Sequence, residues 1–252
     1  MERKFAVQLY TLREELKKDG IRPVFKKLKE MGWQAVQISA LPPDYEQMEV
    51  AQALKENKLR AAGMHVSLQR LQDDLGSLMD EVDLYGTKDI ICPYLSEEWR
   101  NEAGYKEVKE LLNKVARQVP QCRISYHNHD FEFNTQVDGQ DALSFMLNPA
   151  NDNKILAEID VYWVAKAGYN PVSFIADYAK RMPIIHLKDM TNDERKTFAE
   201  VGEGTIDFPS ILQWGEANGV EWYAVEQDVC ERNPFDCLET SLRNLRSMVQ
   251  RL

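Results

Sequence analysis

The chain has 252 residues, 44% hydrophobic and 29% charged, with 12 glycines and 10 prolines. That is ordinary globular composition, which excludes collagen-like, low-complexity and disordered chains. A formal charge of −10, from 41 acidic and 31 basic residues, argues against a basic face for a phosphate backbone, so no nucleic-acid partner is expected.

In chain order, short apolar runs alternate with longer amphipathic stretches. FAVQLYT from Phe5 precedes IRPVFKKLKEMGW, whose Val24, Leu28 and Met31 share a helical face. AVQISA from Ala35 precedes DYEQMEVAQALKEN, and RAAGMHVS from Arg60 precedes LQRLQDDLGSLMDEVDLYG. DIICPY from Asp89 leads to YKEVKELLNKVARQV, and CRISYHNH from Cys122 leads to DALSFMLN. ILAEIDVYW from Ile155 is followed by PVSFIADYAKRM, and IIHLKDM from Ile184 by FPSILQWGEANG, which ends on Asn218-Gly219, a helix stop. WYAVEQD from Trp222 and PFDCLETSLRNLRSMVQRL close the sequence. Each short run is rich in Val, Ile and aromatics and bounded by Gly, Pro or polar residues, as strands are.

Eight strand–helix units of about 31 residues each match the length of a βαβ repeat. Strict alternation implies parallel strands, and eight units in about 250 residues predict a closed (β/α)8 TIM barrel, one domain over residues 1–252. An open doubly wound sheet would call for a Gly-rich first turn, and TLREELKKDG has none. No run reaches the roughly 18 apolar residues of a membrane span, and the N-terminus shows no apolar signal region. A soluble cytoplasmic protein is expected, with no membrane partner and with homo-oligomer formation left open. Cys92, Cys122, Cys230 and Cys237 form no C-x-x-C pair and are expected to be reduced thiols.

In a barrel the chemistry sits at the C-terminal ends of the strands, and the alternation of side chains decides what converges there. His127 and His129 share one parity in the fifth run, Glu158 and Asp160 in the sixth, His186 and Lys188 in the seventh, Glu226 and Asp228 in the eighth. A lone His or Asp at a strand end is ordinarily a hydrogen-bonded structural residue. Four successive strands ending in ionisable groups break the apolar pattern of barrel strands, and buried carboxylates and imidazoles need partners or a metal. The mixed O/N set suits one divalent ion: Mn, Mg, Co or Zn.

The segments YHNHDFEF (126–133), EIDVYWVAKAGYNP (158–171), HLKDM (186–190), GEGTIDF (202–208) and VEQD (225–228) together resemble the xylose-isomerase-like barrel superfamily. Within it they resemble the sugar isomerases and epimerases, close to the inosose dehydratase branch. The resemblance implies a metal held by Asp160, His186 and Glu226, plus a glutamate whose usual position is taken here by His127. Glu132 on the following loop is the expected fourth ligand, with His127 itself as the alternative. Ketose epimerases use two glutamates on opposite faces of the substrate, and one of them is missing from its usual place. The resemblance implies proton abstraction next to the carbonyl of a keto sugar, the metal acting as Lewis acid. Isomerase or epimerase activity is the first expectation, and a lyase or dehydratase acting on a keto-inositol or 3-keto glycoside the second.

His127 and His129 are the expected acid/base pair, since imidazole titrates near neutrality, with Glu226 behind them and Lys188 as donor to a sugar oxygen. Gln8, His65, Trp163 and Glu203 are expected substrate contacts, Trp33 a stacking surface, and Thr191 to Gly204 a lid. The absence of a Gly-rich phosphate cradle favours an unphosphorylated carbohydrate. A DNA-repair endonuclease of the same superfamily would carry many histidines, whereas this chain has 4. A catalytically dead sugar-binding barrel would have lost the metal ligands.

Overall fold

The computed structural model describes residues 1–252. Its eight long strands are β1 (Phe5–Gln8), β2 (Ala35–Ile38), β3 (Arg60–His65), β4 (Asp89–Cys92), β5 (Arg123–His127), β6 (Leu156–Asp160), β7 (Ile184–Leu187) and β8 (Trp222–Val225). Every neighbour pair is parallel, and β1 pairs with β8 to close the barrel. The predicted (β/α)8 architecture is therefore present, with each strand where an apolar run placed it.

Three local departures have identifiable causes. The sixth strand stops at Asp160 instead of running on to Trp163, because Asp160 Oδ1 accepts the Tyr162 N–H at 2.9 Å and caps the helix Val161–Lys166. The helix expected from Leu68 onwards is two helices, Leu68–Asp73 and Leu75–Tyr85, broken at Asp74, whose φ of −136° lies outside helical space. A short helix, Arg13–Asp19, also precedes Ile21–Met31. No helix is long and apolar enough to cross a membrane. All four cysteines are free, and Cys92, Cys122 and Cys237 are buried.

Strand alternation sorts the side chains into two regions. Outward residues pack against the helices in a core of 61 buried residues, which includes Phe25, Leu28, Val36, Leu112, Ile185 and Phe208. Trp33 lies in this core, fully buried just before β2 begins and so at the end opposite the mouth, where it cannot stack on a sugar.

Inside the barrel, Ala6, Ala35, Ala62, Ile91, Ile184 and Ala224 form a separate small apolar floor. Gly63 belongs to this floor: its φ of +146° suits glycine, and a Cβ there would come within 2.9 Å of Ile184 Cδ1. One step nearer the mouth the same strands present Gln8, Gln37, His127, Glu158 and His186, all buried.

Candidate metal centre

The barrel mouth is polar because β5 to β8 each deliver an ionisable side chain at or just past their last residue. Register aligns His127 with Glu158 and Asp160 with His186, so these groups meet across adjacent strands. His127, Asp160, His186 and Glu226 each offer a ligand atom, and these atoms all lie within 4.8 Å of one another. All four residues are buried. Asn128 fixes the alignment from the next strand, its Oδ1 accepting the Asp160 N–H at 2.9 Å.

A second convergence lies deeper. Glu158 Oε1 faces His65 Nε2 at 2.6 Å, His186 Nε2 at 3.0 Å and His127 Nδ1 at 3.4 Å. Burial alone would raise the Glu158 carboxyl, but His186 and His65 beside it hold it well below the usual carboxylate range. Burial works against charge on His186 too, yet Glu158 and Glu226 push it up to about 10. His127 goes the other way: burial, helped by the neighbouring His186, lowers it to about 3. A neutral imidazole is the form that ligates metals.

Lys188, fully buried, points its ammonium at Asp160 Oδ2 (2.9 Å), Glu226 Oε2 (2.9 Å) and Asp228 Oδ1 (2.7 Å). Asp160 Oδ2 and Asp228 Oδ1 meet it outside hydrogen-bond geometry and have no other partner. Burial disfavours its charge, but these carboxylates hold Lys188 well above its usual range. Glu158, Asp160, Glu226 and Asp228 thus face two cationic side chains, Lys188 and His186. Carboxylates outnumber the cationic side chains in this interior, and Asp160 Oδ2 is a buried oxygen in the cluster without a hydrogen bond. These residues fit a divalent ion.

The other expected site residues divide in two. His129 and Gln8 line the mouth cavity of about 600 Å³, as do His65, Lys188 and Glu226. His129 has an unpartnered Nδ1 and stacks on Phe131 at 5.3 Å between ring centroids. Burial and the adjacent His127 lower it to about 2.

Glu132, by contrast, is not brought to the cluster. Its carboxylate turns under the loop, accepting the Tyr126 hydroxyl at 2.7 Å and the His129 N–H at 2.8 Å. It holds His129 in place, and His127 is the residue of β5 that joins Asp160, His186 and Glu226 in the cluster. Glu203 is also elsewhere: Asn244 Nδ2 donates to its Oε1 at 2.8 Å, and it lines a separate polar cavity with Glu200 and Arg232. Trp163 packs behind the mouth, 5.4 Å from the His129 ring and 5.5 Å from Lys188 Nζ, and is not part of the cavity wall.

The expected lid is tied down. Asp189–Met190 pairs antiparallel with Phe198–Ala199. The Asp189 carboxylate accepts N–H groups from Met190, Gly202, Gly204 and Ile206, and the Tyr162 hydroxyl donates to the Lys196 carbonyl. Residues that sequence reasoning passed over are Gln37, a lone polar side chain of inward parity in β2, and Tyr10 and Tyr94, exposed aromatics on the cavity wall.

Comparison with known proteins places this geometry. Residues 25–248 match the family model described as the xylose isomerase-like TIM barrel. The chain belongs to that family. Over 157 residues it is 27% identical to an inosose dehydratase of Clostridium beijerinckii, covering 54% of this chain and 52% of that protein. It is 26% identical over 157 residues to an inosose dehydratase of Clostridium botulinum. The chain thus spans about half the length of the curated relatives it matches.

Among solved structures, a sugar phosphate isomerase/epimerase from Parabacteroides distasonis superposes with a TM-score of 0.81 at 21% identity, covering 97% of this chain and 94% of that one. The IOLI protein with a bound zinc atom gives 0.72 at 14% identity, covering 98% of each chain. The probable 3-DHS dehydratase AsbF from Bacillus anthracis gives 0.70 at 13% identity, covering 96% of this chain and 98% of that one. These likenesses speak for the fold.

Proposed function

We propose that the protein is a metal-dependent enzyme that removes a proton next to the carbonyl of an unphosphorylated keto sugar or keto polyol. The observation that carries this reading is the convergence of His127, Asp160, His186 and Glu226 at one barrel mouth, with their ligand atoms within 4.8 Å of one another. These four residues would hold one divalent ion; that the structurally similar IOLI protein carries a zinc atom supports a metal in a barrel of this kind. Once bound, the ion supplies Lewis-acid stabilisation of the negative charge that develops on the carbonyl oxygen.

The remaining groups divide the proton handling. His129 lines the cavity and has an unpartnered Nδ1, and on that placement it is assigned the role of proton acceptor. Lys188, held protonated by Asp160, Glu226 and Asp228, donates to a substrate oxygen. Gln8 and His65 lie in the cavity wall, and Tyr10 and Tyr94 offer aromatic faces to a sugar ring. Of the cavity-wall side chains only Lys188 is a lysine or arginine, and it is already matched to three carboxylates, which supports an uncharged carbohydrate over a sugar phosphate.

Two outcomes can follow proton removal. Epimerisation needs a second base on the opposite face. The remaining inward glutamate, Glu158, is enclosed by His65, His186 and Gln37 below the mouth. Loss of a hydroxyl needs only a donor beside the leaving oxygen, which Lys188 provides. Elimination is therefore the favoured outcome, and the inosose dehydratases among the relatives support it.

The test is incubation with keto-inositols and 3-keto sugars in deuterated water. Elimination predicts an unsaturated product and loss of water; epimerisation predicts deuterium at the carbon next to the carbonyl with every hydroxyl kept. His129→Gln should lower turnover by about 10²–10⁴-fold while keeping the metal. Full activity in that variant would take the base role away from His129.

A further inference from the structure

Two glutamine side chains lie beneath the ligand cluster, and each has one amide end fixed by a partner of unambiguous character. The Gln37 amide faces Glu158 Oε2 at 2.5 Å and the His186 ring at 2.7 Å. A carboxylate in contact with three imidazoles accepts, so the Gln37 NH2 must point at Glu158. Its Oε1 then meets His186 Nε2 and can only accept, which requires a proton on that nitrogen. Turning the amide over would set its carbonyl against the Glu158 carboxylate, losing that bond and replacing it with a repulsive contact.

Gln8 is fixed from the other end. The Tyr10 backbone N–H donates to Gln8 Oε1 at 2.6 Å. The Gln8 NH2 therefore faces His65 Nδ1 at 2.8 Å, and that nitrogen must accept. The single proton of His65 is left on Nε2, which donates to Glu158 Oε1 at 2.6 Å. Gln37, Glu158 and His186 are each fully buried and lie outside the cavity wall, so water cannot substitute for a missing partner among them.

We infer that Gln37 and Gln8 are positioning residues that assign the protons of His186 and His65, so that His186 presents Nδ1 to the metal. The geometry at the other edge of the ring agrees. His186 Nδ1 lies 3.1 Å from Glu226 Oε2, within the ligand cluster, whereas Nε2 is turned to Gln37 and Glu158. Partners of this kind set the orientation and basicity of metal-bound imidazoles, and their loss typically costs 10–100-fold in metal affinity. The inference rests on the metal site proposed above for His186, whereas the assignment of His65 does not depend on any metal.

The experiment is nuclear magnetic resonance of the full-length protein carrying isotope-labelled histidine, before and after addition of Zn2+, together with Zn2+ titration of the wild type and of Gln37→Met. The expected spectrum shows His65 protonated on Nε2 alone in both states. In the Zn2+-loaded protein, His186 keeps a proton on Nε2 while its Nδ1 is shifted by the metal. Gln37→Met, similar in length but without the amide, should bind Zn2+ about 10–100-fold more weakly and alter the His186 Nε2–H signal.

A wild type that binds Zn2+ through His186 Nε2, or whose His65 carries its proton on Nδ1, overturns the inference even if Gln37→Met fails to fold. So does a folded Gln37→Met with unchanged Zn2+ affinity and an unchanged His186 signal. A wild type that binds no Zn2+ but shows the expected His65 proton would sink the metal reading and leave the amide assignment of His65 intact.

Discussion

The shell between strands and helices and the interior of the barrel are made by the same eight strands, one residue apart. Outward positions such as Val36, Ile124, Ile159 and Ile185 join a continuous apolar core. Their inward neighbours Gln37, Ser125, Glu158, Asp160 and His186 are equally buried but polar or ionisable. Burial is therefore the same on both sides while its energetic sense is opposite. The shell gains roughly 1.5–3 kcal/mol for each large side chain removed from water, whereas each interior carboxylate costs free energy that its partners must offset. Inside the barrel the buried apolar cluster is confined to the six residues of the floor, four of them alanines. Stability and chemistry are thereby assigned to opposite faces of one sheet.

That division can be broken from either side. Asp160→Asn keeps an oxygen to cap the helix Val161–Lys166 but removes the charge of a proposed ligand, and should abolish metal retention and lower activity by at least ~10³-fold, while costing less stability than a truncation in the shell. Metal content and turnover measured on the same preparation check it. Phe208→Ala, in the shell, should do the reverse, costing about 3–5 kcal/mol in denaturant unfolding while the folded fraction keeps its metal. If the two variants showed the same profile, the separation of the faces would fail.

A smaller effect distinguishes Glu132 from the interior carboxylates. Burial pushes its carboxyl up to about 7, although the Tyr126 hydroxyl and the His129 N–H oppose the rise. The unfolded reference is about 4.3, so the native state holds this proton more tightly than the unfolded chain. The stabilisation is fully present below pH of about 4 and is lost as pH rises through about 7, on the order of 1 kcal/mol per unit in between. Glu132→Gln, which cannot ionise, should show a flatter stability profile across that window by chemical denaturation. Equal slopes in the two proteins would contradict the assignment. The smallest effect is expected at Glu203, held by Asn244 away from the mouth: Glu203→Ala should keep turnover within about twofold.

Much of this arrangement was legible in the sequence because parity is. His127, Asp160, His186 and Glu226 lie in apolar strands, where one inward position implies the next, and the barrel rule says which end they reach. Glu132 and Glu203 lie in connecting segments, which have no such periodicity, so similarity of residue type was a poor guide to direction. The Asp189 carboxylate that gathers four backbone N–H groups is what turns the expected lid into a fixed hairpin. Nothing in the spacing of Thr191 to Gly204 reports that knot. Gln37 had the inward parity but no charge, and its part in the site is not apparent until its two partners, Glu158 and His186, are seen.

The polar interior is proposed to be a metal centre. Metal analysis of protein purified without chelator, with turnover followed as a strong chelator is added and then Mn2+ or Zn2+ is restored, tests it most directly. Roughly one divalent ion per chain is expected, with loss of activity on adding the chelator and recovery with the ion. Undiminished turnover by protein shown to contain no metal would contradict it.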